Sequence, residues 1–147
     1  MSDATAVSEV LLCFAHALDA HDWATCETLL LPEITTDYGD LRGEPAQRVS
    51  AAAYVAKRQL ALAPLRTQHL STNHMVTMQG DAATCVSQGV IYRFSGAGPA
   101  EYFHTHCTYW HTLVRTAAGW KISSITQRVV QNLGNPALHA GAAVPAS

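Results

Sequence analysis

From Val7 to Ala20 the chain reads VSEVLLCFAHALDA, and Val7, Val10, Leu11, Phe14 and Leu18 recur at the three- and four-residue spacing of an amphipathic helix. Ser2 or Asp3 is placed to cap its start. Residues 22–31 predict a second, shorter helix with Asp22 as N-cap, closed by Pro32. Residues 33–38 (EITTDY) predict a short strand, and residues 39–47 a turn-rich loop. An Ala-rich stretch over 48–63 predicts a third helix, capped by Ser50 and ended by Pro64. Beyond it the pattern changes to extended chain. Residues 66–78 hold one or two extended pieces, and Gly80-Asp81 is a hairpin signal. Long strands are predicted over 82–94, 102–116 and 120–131, with SGAGPAE and Ala117-Ala118-Gly119 as connections.

Helices followed by hairpin-linked long strands are an α+β pattern. Strands of this length suit a strongly curved antiparallel sheet folded over the helices, which leaves a cavity on its concave side. One domain is expected over residues 1–134, followed by an Ala/Gly/Pro-rich tail over 135–147 that is loose or covers something.

Composition narrows the function classes. The 147 residues suit a single domain, 48% are hydrophobic and 14% charged, so the chain is globular. A net charge of −2 without a basic cluster argues against nucleic acid and anionic membrane as partners. No apolar run approaches a spanning helix, no basic n-region precedes the first helix, and Cys13, Cys26, Cys85 and Cys107 are scattered. These features predict a cytoplasmic protein with reduced, buried cysteines.

The candidate chemistry lies in HTHCTYWHTLVRTAAGW, from His104 to Trp120, which carries three of the eight histidines. Strand alternation puts His104, His106, Thr108 and Trp110 on one face and Cys107, Tyr109 and His111 on the other. In the last strand Trp120, Ile122, Ser124 and Thr126 share a face whose apolar start and small hydroxyls suit a pocket lining. Around His69 the shared face reads Thr67, His69, Ser71, Asn73. The His104-x-His106 pair could chelate a transition metal. No carboxylate follows it, and a third ligand would have to come from His69 or Asp19, so no metal is expected. His16, His21, His74, His104, His111 and His139 are read as ordinary exposed or hydrogen-bonded histidines. No G-x-S-x-G, G-x-G-x-x-G or P-loop is present, so no cofactor is signalled.

The segments ALDAHDWATCETLL, TTDYGD, LRTQHL and HTHCTYWHTLVRTAAGWKI, in that order, resemble the SnoaL-like branch of the nuclear-transport-factor-2-like superfamily, and within it the scytalone dehydratases. The resemblance covers Val7 to Gly134. It implies a cone of curved antiparallel sheet wrapped around the N-terminal helices, with a pocket at the open end. It also implies roles. His69, in Thr-Gln-His-Leu, matches an acid/base histidine, and His106 matches a second one. Asp19 matches the aspartate that orients this second histidine. Tyr38 matches a tyrosine that polarises a carbonyl through water. A polar pair late in the last strand falls near Ser124 and Thr126. Leu18 stands where the family has a second tyrosine, which puts the substrate in doubt more than the acid/base pair.

Two histidines and a carboxylate in an apolar pocket suit proton transfer beside a carbonyl near neutral pH. The expectation is therefore a cofactor-independent dehydratase (lyase) or isomerase. It would act on a hydroxylated, carbonyl-containing cyclic small molecule through Asp19, His69, His106 and Tyr38. Leu18, Asn73, Trp110, Ser124 and Thr126 would contact the substrate. The alternative is a non-catalytic small-molecule-binding or assembly protein of the same fold. A homo-dimer or homo-trimer is expected, because a face bearing Tyr109, Leu113, Ile125 and Val129 is too apolar for open water.

Overall fold

The structure, a computed structural model, describes residues 1–139. Helix α1 spans Asp3–Asp19 and is capped by the Ser2 hydroxyl, which accepts from the Thr5 amide. Val7, Leu11, Phe14, Ala17 and Leu18 form its buried stripe. The chain reverses through His21, which takes φ 55°, a left-handed conformation uncommon outside glycine. Helix α2, Trp23–Thr28, then starts on the predicted Asp22 cap. It ends before Pro32, which lies inside strand β1, Leu30–Asp37. Pro32 is tolerated there because the pairing of β1 loses its register between Leu30 and Thr35, so no ladder bond is asked of the missing N–H. The expected loop contains a short helix α3, Gly39–Arg42, and strand β2, Gln47–Ser50. Helix α4 accordingly begins only at Ala51, behind the predicted Ser50 cap, and runs to Leu62.

Four long strands follow: β3 Arg66–Gln79, β4 Ala82–Phe94, β5 Phe103–Thr116 and β6 Gly119–Gly134. The sheet order is β2-β1-β6-β5-β4-β3. Every pair is antiparallel except β1 with β6, which is parallel. The helices lie on the concave side. Val7, Leu11, Cys26, Ile34, Leu113, Ile122 and Ile125 meet there in one core. The outer face carries Val86, Trp110 and Thr126 in one cross-strand row. Cys26, Cys85 and Cys107 are buried free thiols, whereas Cys13 is exposed, on the side of α1 away from the core.

Three register shifts interrupt the side-chain alternation, one in β3 and two in β6, the second of these opposite His106 and Cys107. In β3 the register shifts between Thr72 and Met75, with Asn73 at φ 55°. Thr67, His69 and Ser71 point inward before the bulge, and His74, Val76 and Met78 after it. In β6 the register shifts opposite Thr112 and Leu113. Trp120 and Ile122 are buried before that bulge, Ile125 and Gln127 after it. In β5 the buried side chains are Phe103, Thr105, Cys107, His111 and Leu113, so the odd face is the inner one. Leu113 and Ile125, expected to drive assembly, are therefore core residues at 0% and 1% exposure.

Past Gly134 a 3-10 turn, Pro136–Leu138, begins with Asn135 capping the Ala137 amide. It carries His139 into the fold, where only 3% of the residue is exposed. The rest of the expected tail lies outside the described residues.

Candidate active site

The concave side of the sheet holds a pocket lined by α1, α4 and the long strands. Leu11, Phe14, Leu18, Leu62, Ile91 and Ile125 form its apolar wall. On one side stands His69. Asp19, the last residue of α1, points at β3 and gives both carboxylate oxygens to it. Oδ1 lies 2.5 Å from His69 Nδ1 and accepts from the Thr67 hydroxyl at 3.0 Å, while Oδ2 accepts from the His69 amide at 2.7 Å. Partial burial pushes the Asp19 carboxyl up, but the bonds from His69 and Thr67 outweigh it and hold the group below the usual range. Asp19 is thus an anion that accepts a hydrogen bond from Nδ1–H, which selects the tautomer whose Nε2 lone pair is free.

Facing this dyad are hydroxyls. Tyr38, just after β1, and Tyr54, on α4, join their phenolic oxygens at 2.7 Å. Tyr109 receives a bond of 2.8 Å from Gln127 Nε2, its cross-strand partner. Burial raises the pKa of all three tyrosines, so they stay protonated and able to donate. Gly89 makes room for Tyr109: a Cβ there would come within 2.7 Å of the ring. The pocket wall also contains Arg58, Arg93, His111 and His139. Burial drives the His111 pKa down to about 3, and the neighbouring His74 adds to the effect. His111 is therefore a neutral ring at physiological pH, stacked on Tyr109 at 5.2 Å between centroids.

Several expected site residues lie elsewhere. His106 belongs to the even, outer face of β5, so the expected Asp19–His106 pair is replaced by Asp19–His69. Trp110 shares that outer face and is 40% exposed. Ser124 and Thr126 are turned outward by the β6 bulge, and Ser124 bonds Thr112 there at 2.6 Å. Asn73 is itself the bulge residue in β3, and it is exposed. Leu18, Tyr38 and His69 line the pocket as expected. Among the described residues no three His, Cys, Asp or Glu side chains cluster closely enough to hold a metal.

A family model for the SnoaL-like domain matches residues 1–126. The chain belongs to the SnoaL-like domain family. No curated protein matches the sequence. Among solved structures, this SnoaL-like chain is similar to the Kfla4162 protein of Kribbella flavida, with 24% identity over 92% of this chain and 95% of that one and a TM-score of 0.86. It is similar to a dehydratase candidate of the NTF2-like family from Streptomyces avermitilis, with 19% identity over 88% and 96% and a TM-score of 0.75. It is also similar to a scytalone dehydratase candidate from Novosphingobium aromaticivorans, with 13% identity over 92% of each chain and a TM-score of 0.77. Identities this low show the shared NTF2-like fold alone, a curved sheet over few helices.

Within the SnoaL-like cone, sequence reasoning overlooked Tyr54, Arg58, Tyr109, His111 and Gln127. A signal existed for two of them. Tyr54, Arg58 and Leu62 recur every four residues and so share one face of α4. Tyr109 and His111 do share a face, as strand alternation predicts, and it is the inner one.

Proposed function

We propose that this SnoaL-like protein is a cofactor-independent dehydratase- or isomerase-type enzyme acting on a cyclic, carbonyl-bearing small molecule. The Asp19–His69 dyad inside a largely apolar pocket carries this reading. His69 Nε2 takes the proton from the carbon next to the carbonyl. Asp19 holds the ring in the tautomer that leaves Nε2 free and stabilises the imidazolium that forms. The Tyr38–Tyr54 pair donates to the oxygen that gains charge as the enolate forms. In a dehydration, the C–OH bond then breaks and the imidazolium returns its proton to the departing hydroxyl, so water leaves and a double bond forms. In an isomerisation the same proton returns to a different carbon. His69 serves both transfers in this scheme, since His106 is on the outer face and neutral His111 has no proton to spare as an acid.

Enolisation can be tested without knowing the leaving group. Wild type should accelerate solvent deuterium uptake at the α-carbon of cyclic ketones such as 2-tetralone, followed by NMR. His69→Asn should lower that rate by about 10²–10⁴-fold. No acceleration by wild type across a panel of cyclic ketones, or full activity in His69→Asn, would leave a binding protein as the reading.

A homo-dimer or homo-trimer is part of the proposal. Its support is the outer sheet face, where Met75, Trp110 and Val130 are exposed at 72%, 40% and 69%. A monomer by light scattering at micromolar concentration would remove it.

A further inference from the structure

Three exposed arginines of this molecule have carboxylate partners, and three buried ones have none among the described residues. The exposed Arg48, Arg115 and Arg128 each pair with a carboxylate, at 2.6, 2.7 and 2.9 Å respectively. The buried Arg42, Arg58 and Arg93, exposed by only 9%, 6% and 2%, pair with none among the described residues. Their donors are also under-used. The Nε–H of Arg58, the Nε–H of Arg93, and both Nε and Nη2 of Arg42 find no acceptor among the described residues. Arg93 Nη1 reaches the Thr105 hydroxyl at 2.9 Å and the Phe103 carbonyl at 3.4 Å, both neutral.

A guanidinium taken out of water without a counter-charge is costly. Aromatic faces offset part of that cost. The Tyr38 ring lies 5.1 Å from the Arg42 guanidinium carbon and 5.4 Å from that of Arg58, and the Phe103 ring lies 5.1 Å from that of Arg93. The rings hold the cations in place but cannot saturate their N–H groups. Burial lowers the Arg93 pKa to about 10, which still leaves it charged at neutral pH. Among the described residues, the carboxylate beside the pocket, Asp19, is already occupied by His69 and Thr67. The cavity walled by Arg58 and Arg93 is therefore electropositive as well as apolar.

We propose that the pocket recognises an organic carboxylate, an apolar cyclic body bearing a carboxylate group that Arg93 and Arg58 bind while the ring lies against Phe14, Leu18 and Ile91. This deepens the acid–base reading by naming the substrate class of the same pocket, and it rests on that reading only for what happens after binding. A planar carboxylate matches the guanidinium fork, and Arg42, stacked on Tyr38 outside the pocket lining, adds positive potential. Neutral analogues of the same shape lack the charge-assisted bond to the guanidinium ends and bind more weakly.

Binding is measured by calorimetry on the full chain with benzoate, with benzamide as the neutral isostere, and with inorganic phosphate. Benzoate should bind about tenfold or more tightly than benzamide. Arg58→Gln and Arg93→Gln should each remove most of that preference. Arg58→Gln is the safer variant should the change at Arg93 prevent folding, as judged by circular dichroism. His69→Asn should keep the preference, so loss of turnover and loss of carboxylate recognition separate. Equal binding of benzoate and benzamide, no benzoate binding at millimolar concentration, tighter binding of phosphate than of benzoate, or a benzoate preference that survives Arg58→Gln and is lost in His69→Asn would each overturn the proposal.

Discussion

At the scale of single residues, the site depends on what Asp19 does to His69. Three hydrogen bonds converge on one carboxylate from Thr67, the His69 amide and the His69 ring, so the aspartate fixes both the strand and the imidazole. Asp19→Asn exchanges an acceptor for a mixed donor and acceptor, and the ring loses its preferred tautomer. Its effect on α-proton exchange should approach that of His69→Asn, and the double variant should lose little more than the worse single one, because the two act as a unit. Exchange rates that multiply independently would separate Asp19 from the chemistry. His106→Asn, on the outer face, should fall well short of the ~10²-fold loss expected of an acid–base group, measured in the same assay. The residue types for this chemistry were all legible in the chain. Which histidine meets Asp19 was not, because partner choice follows from strand parity and not from proximity in sequence.

Parity is set at the scale of elements, and here the bulges in β3 and β6 control it. Before the β6 bulge Trp120 and Ile122 face the core, and after it Ile125 and Gln127 do. Deleting Ser124 would remove the extra residue while keeping Ile125 and Gln127 in phase with Trp120 and Ile122, so the variant should still fold cooperatively in a thermal melt, at a lower midpoint. Gly89 has a gentler role. An added Cβ would sit 2.7–2.9 Å from Tyr109 and 3.0 Å from Cys107 Sγ, so the Tyr109 ring must move. Gly89→Ala should cost about 1–3 kcal/mol by urea unfolding, typical of overpacking, and should weaken ligand binding on the Tyr109 side of the pocket. Helix caps and hairpin turns were readable from the chain because their signals are local: Ser2, Asp22, Ser50 and Gly80 all act where expected. The β6 bulge left no such signal. In β3 the asparagine at 73, a residue that tolerates positive φ, was the only hint.

For the molecule as a whole, burial of His111 makes stability depend on pH. Burial lowers the His111 pKa from an ordinary value of 6.5 to about 3. Between those values the unfolded chain binds a proton at this site that the folded chain does not, so stability rises with pH and is lost on acidification below about 6.5. The loss attributable to His111 should be up to about 1.4 kcal/mol per pH unit, and His111→Gln should flatten that part of the curve in urea melts at pH 7 and pH 5. An unchanged slope would mean that the ring takes up its proton in the folded state. The sequence by itself determined the α+β class, the helix-then-strand order and the major turns, because periodicity, capping and turn chemistry act over a few residues, whereas Tyr38 and His69 were singled out through the family resemblance. Only the tertiary structure decided that His106, Ser124 and Thr126 face away, that β1 runs parallel to β6, and that Tyr54, Arg58, Arg93 and His111 surround the same cavity. Those outcomes depend on where a bulge reverses the side-chain alternation and on which strands become neighbours when the sheet curls over its helices, and both are settled by packing between segments far apart in the chain.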